Sequence, residues 1–131
     1  MKRATILVVD NCPSVRQTLG KTLESVGYTV IAAASGDEAL AILRENEIDA
    51  VVIDLHMPVM SGQTLFHVII GTWPELKARV LIMTDDKRAE DNETWLRLYD
   101  LPVLKKPFAL SEVIILIEVL AADEPLEANG T

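Results

Sequence analysis

A chain of 131 residues, half of them hydrophobic, fits one domain with a sizeable core and is too apolar to be disordered. Its formal net charge of −8 argues against a nucleic-acid-binding surface, and its apolar runs fall well short of the roughly 20 residues that cross a bilayer. Asp10 interrupts the N-terminal apolar run, which excludes a signal peptide, and the single cysteine, Cys12, excludes an internal disulfide framework, so the expectation is a soluble, acidic, cytoplasmic domain.

The first apolar run, ILVV at 6–9, is continuous and β-branched, and predicts a strand covered on both faces. Pro13, at a first-turn position, opens a helix whose Val15, Leu19, Leu23 and Val26 share one stripe. YTVIAAA at 28–34 predicts a second strand, and Ser35-Gly36-Asp37-Glu38 then reads as a capping box ahead of Ala39, Leu40 and Leu43. AVVI at 50–53 is the third strand. Leu65, Val68 and Ile69 mark the third helix, with Pro74 beyond its end. VLIM at 80–83 is the fourth strand, followed by a charged, weakly periodic helix within 87–99 anchored by Trp95 and Leu96. PVL at 102–104 gives the fifth strand, and Val113, Leu116, Ile117 and Leu120 share a stripe on the last helix. Residues 123–131 have the composition of a tail or linker, leaving 1–122 as the domain.

Strict alternation of strands and helices implies an α/β fold with a parallel sheet. Right-handed crossovers put every strand's carboxyl end on one edge, where doubly wound sheets carry their chemistry. The residues at those ends are Asp10 and Asn11, Asp54, Thr84 and Asp85, and Lys105 and Lys106, while the second strand ends blandly in Ala34 and Ser35. A helix cap explains one aspartate; it does not explain carboxylates, a hydroxyl and an ammonium meeting at one spot. Carboxyl and amide oxygens make a small hard-cation site suited to Mg²⁺. A carboxylate can form an aspartyl phosphate, with a lysine and a hydroxyl holding the phosphoryl oxygens. There is no Ser-His-Asp pattern and no Cys/His metal spacing.

With ILVVDN, DLHMPVMSG, LIMTD and KKPF in this order, the chain resembles a receiver domain of the bacterial response-regulator family from about Lys2 to Ala121. The resemblance implies a flavodoxin-like (βα)5 fold with a five-stranded sheet of order 2-1-3-4-5. It implies a phosphoacceptor, Asp54, taking a phosphoryl group from the phosphohistidine of a histidine kinase or phosphotransfer protein. Mg²⁺ would be held by Asp10, Asn11, Asp54 and the backbone carbonyl of His56. Lys106 would contact the phosphoryl oxygens, Pro107 would follow a cis peptide bond, and Thr84 would move toward the phosphoryl group. Such a domain is not an enzyme on other substrates; it catalyses only its own aspartyl phosphorylation and dephosphorylation, although the parent chain could be a hybrid histidine kinase.

Three departures from the family pattern carry expectations. Asn11 stands where a second acid is usual, so Mg²⁺ should bind more weakly. Asp85 replaces a small residue and reads as a solvated loop acid, with partial restoration of the lost charge near the metal, or crowding and repulsion of the phosphodonor, as the alternatives. Val103 occupies the place of a switching aromatic, so output must travel through Thr84 without a ring flip. Together they motivate a second reading, a pseudo-receiver that binds partners without phosphorylation. Flavin-binding and dehalogenase-type readings fail on DNCPSVR and on His56, respectively. Cys12 reads as a small buried hydrophobe, and Trp95 and Tyr99 as ordinary packing residues. The segment VIILIEVL is apolar nearly all round, which suggests a homodimer or partner interface on the last helix.

Overall fold

The computed structural model describes residues 4–122, so the expected tail at 123–131 lies outside the described residues. Five strands, β1 (Thr5–Val9), β2 (Thr29–Ala33), β3 (Ala50–Asp54), β4 (Val80–Thr84) and β5 (Val103–Lys105), form one sheet of order β2-β1-β3-β4-β5. Every pairing is parallel, with Val8 opposite both Ala32 and Val52, and Met83 opposite Asp54 and Leu104. The sheet is therefore covered on both faces, as the continuous apolar runs require. Ile6, Val8, Val52, Leu81 and Met83 point to one side, against Leu19, Leu23, Val113 and Ile117. Leu7, Val9, Val51, Ile53 and Ile82 point to the other, against Leu40, Leu43, Leu65 and Phe66.

The helices are α1 (Pro13–Ser25), α2 (Gly36–Glu45), α3 (Gly62–Thr72), α4 (Asp86–Asp91), α5 (Glu93–Leu98) and α6 (Leu110–Leu120). Ser35 caps α2 by accepting the Glu38 N–H, but the Glu38 carboxylate reaches back to the N–H of Ala34 rather than to that of Ser35. The expected fourth helix is two short ones. Asn92 adopts φ −115° and ψ 17°, breaks the α-helical path and donates its side-chain amide to the Arg88 carbonyl. A 3-10 helix at Pro74–Arg79, unmarked by periodicity, leads into β4.

Two stripe assignments change. Val26 lies past the end of α1 and is exposed. In α3, Val68 faces outward while Phe66 is fully buried. FHVII is apolar on more than one side, so period alone does not select the inward residues.

Candidate functional site

The parallel sheet delivers four polar side chains to its carboxyl edge. Asp54 and Thr84 end β3 and β4; Asp10 and Lys106 immediately follow β1 and β5. The Lys106 Nζ lies 3.0 Å from Asp10 Oδ2 and 3.5 Å from Asp54 Oδ1. Residues separated by 96 positions thus share one ion pair. Asp10 is fully buried, and Asp54 and Thr84 nearly so.

Asp10 has a hydrogen-bond partner at every polar group. Its N–H donates to the Ala33 carbonyl, and its own carbonyl accepts from Arg16 at 2.7 Å. Oδ1 accepts the Cys12 N–H at 2.8 Å, and Oδ2 accepts from Lys106. Burial raises the Asp54 carboxyl above the ordinary aspartate range, and the neighbouring charge of Asp10 pushes it in the same direction. Lys106 and the His56 N–H oppose this rise without cancelling it. Burial by itself would lower Lys106, but the Asp10 hydrogen bond and the charges of Asp54 and Asp10 outweigh it, so the ammonium is held above its usual range. The site is a carboxylate pair under mutual repulsion, relieved in part by one ammonium.

The Lys106–Pro107 peptide is cis. Lys105 points away, toward Asp86 at 3.7 Å, and is well exposed. Asn11 and His56 sit exposed in the turns directly beyond the two strands. The Thr84 hydroxyl donates to the Asp85 carbonyl at 3.2 Å. The Asp85 side chain is solvent-exposed, as expected, and it also caps α4: its Oδ1 accepts the Arg88 N–H at 2.7 Å. Val103 is half-buried and packs against the same core cluster as Trp95 and Tyr99. Trp95 and Tyr99 pack edge-on with Phe66 and His67, and Trp95 Nε1 donates to His67 Nε2 at 3.0 Å.

Cys12 is not the buried hydrophobe expected. It is the residue before α1, half-buried, with Sγ 3.2 Å from the Ser14 hydroxyl. That bond, and hydrogen bonds from the Val15 and Ser14 backbone, hold its thiol below the usual range. Two features escape the sequence reading altogether: Arg16, whose guanidinium reaches back to Asp10, and the closeness of α3 to β3 at Gly62. The first follows from Arg16 lying one turn into a helix that Pro13 starts; nothing in composition signals it.

The oxygen donors here fit a hard cation. Two carboxylates lie close enough to share one ammonium and gain from a further positive charge. Among the described residues no three His, Cys, Asp or Glu side chains converge to hold a metal ion. A set of two carboxylates with amide and backbone oxygens suits Mg²⁺, which keeps several of its waters, better than a metal that needs an all-protein cage.

The family model for the response regulator receiver domain matches residues 6–118. The chain is 31% identical over 116 residues to the probable transcriptional regulatory protein TcrX of Mycobacterium tuberculosis, covering 88% of this chain and 49% of that protein. It is 46% identical over 76 residues to the sensor kinase CckA of Brucella abortus, covering 56% of this chain and 8% of the kinase. The crystal structure of the chemotaxis protein CheY4 of Vibrio cholerae superposes with a TM-score of 0.80 at 28% identity, covering 91% of this chain and 99% of that one. The chain thus spans about half the length of TcrX and a small fraction of CckA.

Proposed function

The chain belongs to the response regulator receiver domain family of two-component systems, and from that premise we propose that Asp54 accepts a phosphoryl group from the phosphohistidine of a histidine kinase or phosphotransfer protein, with Mg²⁺ bound beside it. One observation carries the reading: a single ammonium, Lys106, lies within 3.5 Å of both carboxylates, Asp10 and Asp54, at the sheet's carboxyl edge. Structural ion pairs seldom bury two carboxylates against one lysine at the mouth of a sheet, because the second carboxylate costs more than it returns. Sites that handle phosphoryl groups use such a cluster.

An Asp54 oxygen forms the new bond to phosphorus as the bond from phosphorus to the donor imidazole nitrogen breaks. The imidazole keeps that electron pair and takes up a proton, and the product is an acyl phosphate on Asp54. Burial and the Asp10 charge hold the Asp54 carboxyl above the ordinary aspartate range, and Lys106, 3.5 Å away, is placed to meet the charge that the phosphoryl group adds. Mg²⁺, held by Asp10, Asn11, Asp54 and the His56 carbonyl, would supply positive charge to the phosphoryl oxygens. Thr84 is the signalling residue: release of its hydroxyl from the Asp85 carbonyl frees it for the phosphoryl group and disturbs the cap of α4.

Intact-mass spectrometry after incubation with acetyl phosphate and Mg²⁺ tests this. The expected result is one phosphoryl adduct in the parent and none in Asp54→Ala. An unmodified parent, with either this donor or a cognate kinase, would transfer the weight to the pseudo-receiver, which Asn11 and Val103 favour. Asp85 motivates the same alternative, although its carboxylate also caps α4.

The outer face of α6 is proposed as a self-association surface, because Ile115 and Val119, one turn apart, are 60% and 71% exposed. Light scattering is expected to show a concentration-dependent dimer that Ile115→Glu abolishes. A parent that stays monomeric at high concentration counts against it. No helix among the described residues is long and apolar enough to cross a membrane; a cytoplasmic location, beside its phosphodonor, completes the proposal.

A further inference from the structure

We propose that Arg16 is a positioning residue for the cation site, acting through the peptide that joins Asp10 to Asn11; this rests on the reading of that site given above. The Asp10 carbonyl lies just beyond the last residue of β1 and accepts from Arg16 at 2.7 Å. The residue is fully buried, so without Arg16 this carbonyl would lose a partner that the side chain alone is seen to supply. The carbonyl belongs to the same planar peptide unit as the Asn11 nitrogen. Fixing it fixes where the chain turns out of the sheet, and so where the Asn11 side chain starts. Two further bonds tie the turn to the same elements: the Asp10 carboxylate accepts the Cys12 N–H, and the Arg16 N–H donates to the Cys12 carbonyl.

Two effects of Arg16 on a cation oppose each other. Its guanidinium charge repels a divalent ion, while its hydrogen bond pre-organises the ligand-bearing turn. Asn11 is a neutral ligand in place of an acid, so it attracts the ion less and depends more on being held in position. The geometry therefore points to pre-organisation as the larger effect. The sign of a neutral substitution separates them: if charge dominated, Arg16→Met would tighten Mg²⁺ binding, and if position dominates, it weakens it.

The test is a Mg²⁺ titration of the unphosphorylated protein followed by backbone amide NMR shifts, with amide hydrogen exchange on the same samples. Arg16→Met is expected to weaken Mg²⁺ about tenfold, the scale of lost outer-shell support, and Arg16→Gln to weaken it less. In both, exchange at the Cys12 amide accelerates while that of Val8 and Val52 in the sheet stays at the parent rate, which separates a loosened turn from a loosened fold. Should Arg16→Met fail to fold, Arg16→Gln carries the same sign test. A folded variant that binds Mg²⁺ as tightly as the parent, or more tightly, overturns the role of Arg16. A parent without Mg²⁺-dependent shifts at Asp10, Asn11 or Asp54 overturns the reading of the site itself.

Discussion

Lys106→Met is expected to lose about 2–4 kcal/mol of folding stability near pH 7, the scale of a buried ion pair broken by removing one partner. The lower end allows for a lysine side chain that is 29% exposed. The loss arises because the variant keeps two carboxylates in the pocket, one of them with no surface exposed, and no cation to face them. Its pH dependence follows with a definite sign. In the parent, burial and then the Asp10 charge already raise Asp54 in the folded state, against the pull of Lys106. Removing Lys106 lets it rise further. A carboxyl whose folded value lies above its unfolded value favours the fold when protonated, so its contribution is intact below the unfolded value and is lost as pH rises through the folded one. Lys106 itself, raised in the fold, keeps its contribution until the pH climbs through its own alkaline folded value. Urea midpoints of the variant should therefore climb toward the parent's as pH falls from about 7.5 to 5. Asp54→Asn removes one of the repelling charges and is expected to leave the fold more stable near pH 7 than the parent. A Lys106→Met protein with the parent's midpoint at neutral pH, or one whose deficit ignores pH, would show that the ammonium does not hold the pair.

Much of this was legible in the chain. Five continuous apolar runs announced strands covered on both faces, and four of them ran into polar residues at their carboxyl ends, so Asp10, Asp54, Thr84 and Lys106 could be placed at one edge from the sequence alone. What stayed hidden depends on distances between segments or on local competition. Asp85 reads from the sequence as a solvated loop acid, but that its carboxylate also caps α4 through the Arg88 N–H depends on a helix start that no periodicity marks. The split of the fourth helix turns on one residue, Asn92, whose side chain competes for a backbone carbonyl. Phe66 replaced Val68 inside α3 because a segment apolar on several sides is oriented by what it packs against, here Trp95 and Tyr99. Arg16 was invisible because its partner is a backbone carbonyl, which every residue has.

Gly62→Ala is expected to destabilise the protein by about 2–3 kcal/mol, the upper range for forcing an extra carbon into a packed site, and to slow phosphorylation of Asp54. Gly62 opens α3, and its N–H donates to the Leu55 carbonyl at 3.0 Å. The chain leaves β3 at Asp54, loops through residues 55–61 and returns so closely that the first turn of α3 rests on the strand's end. A Cβ at Gly62 would stand 2.5 Å from the Asp54 carbonyl oxygen and 2.7 Å from the Leu55 Cα. Both are backbone atoms, so no rotamer change removes the clash; either α3 or the peptide carrying Asp54 must shift. The second outcome displaces Asp54, the proposed phosphoacceptor, from Lys106, and misplacement on that scale slows transfer. Helix propensity works the other way, favouring Ala over Gly by about 0.8–1 kcal/mol in a helix interior. At Gly71, in the same helix, an added Cβ would meet nothing within 4 Å, so Gly71→Ala should show that gain undiluted, at about 0.5–1 kcal/mol. The pair isolates close approach from propensity: opposite signs are expected in urea denaturation, and the acetyl phosphate adduct should form at the parent rate only in Gly71→Ala. If Gly62→Ala is as stable as Gly71→Ala and is phosphorylated as fast, the glycine in DLHMPVMSG is not required by the contact between α3 and β3.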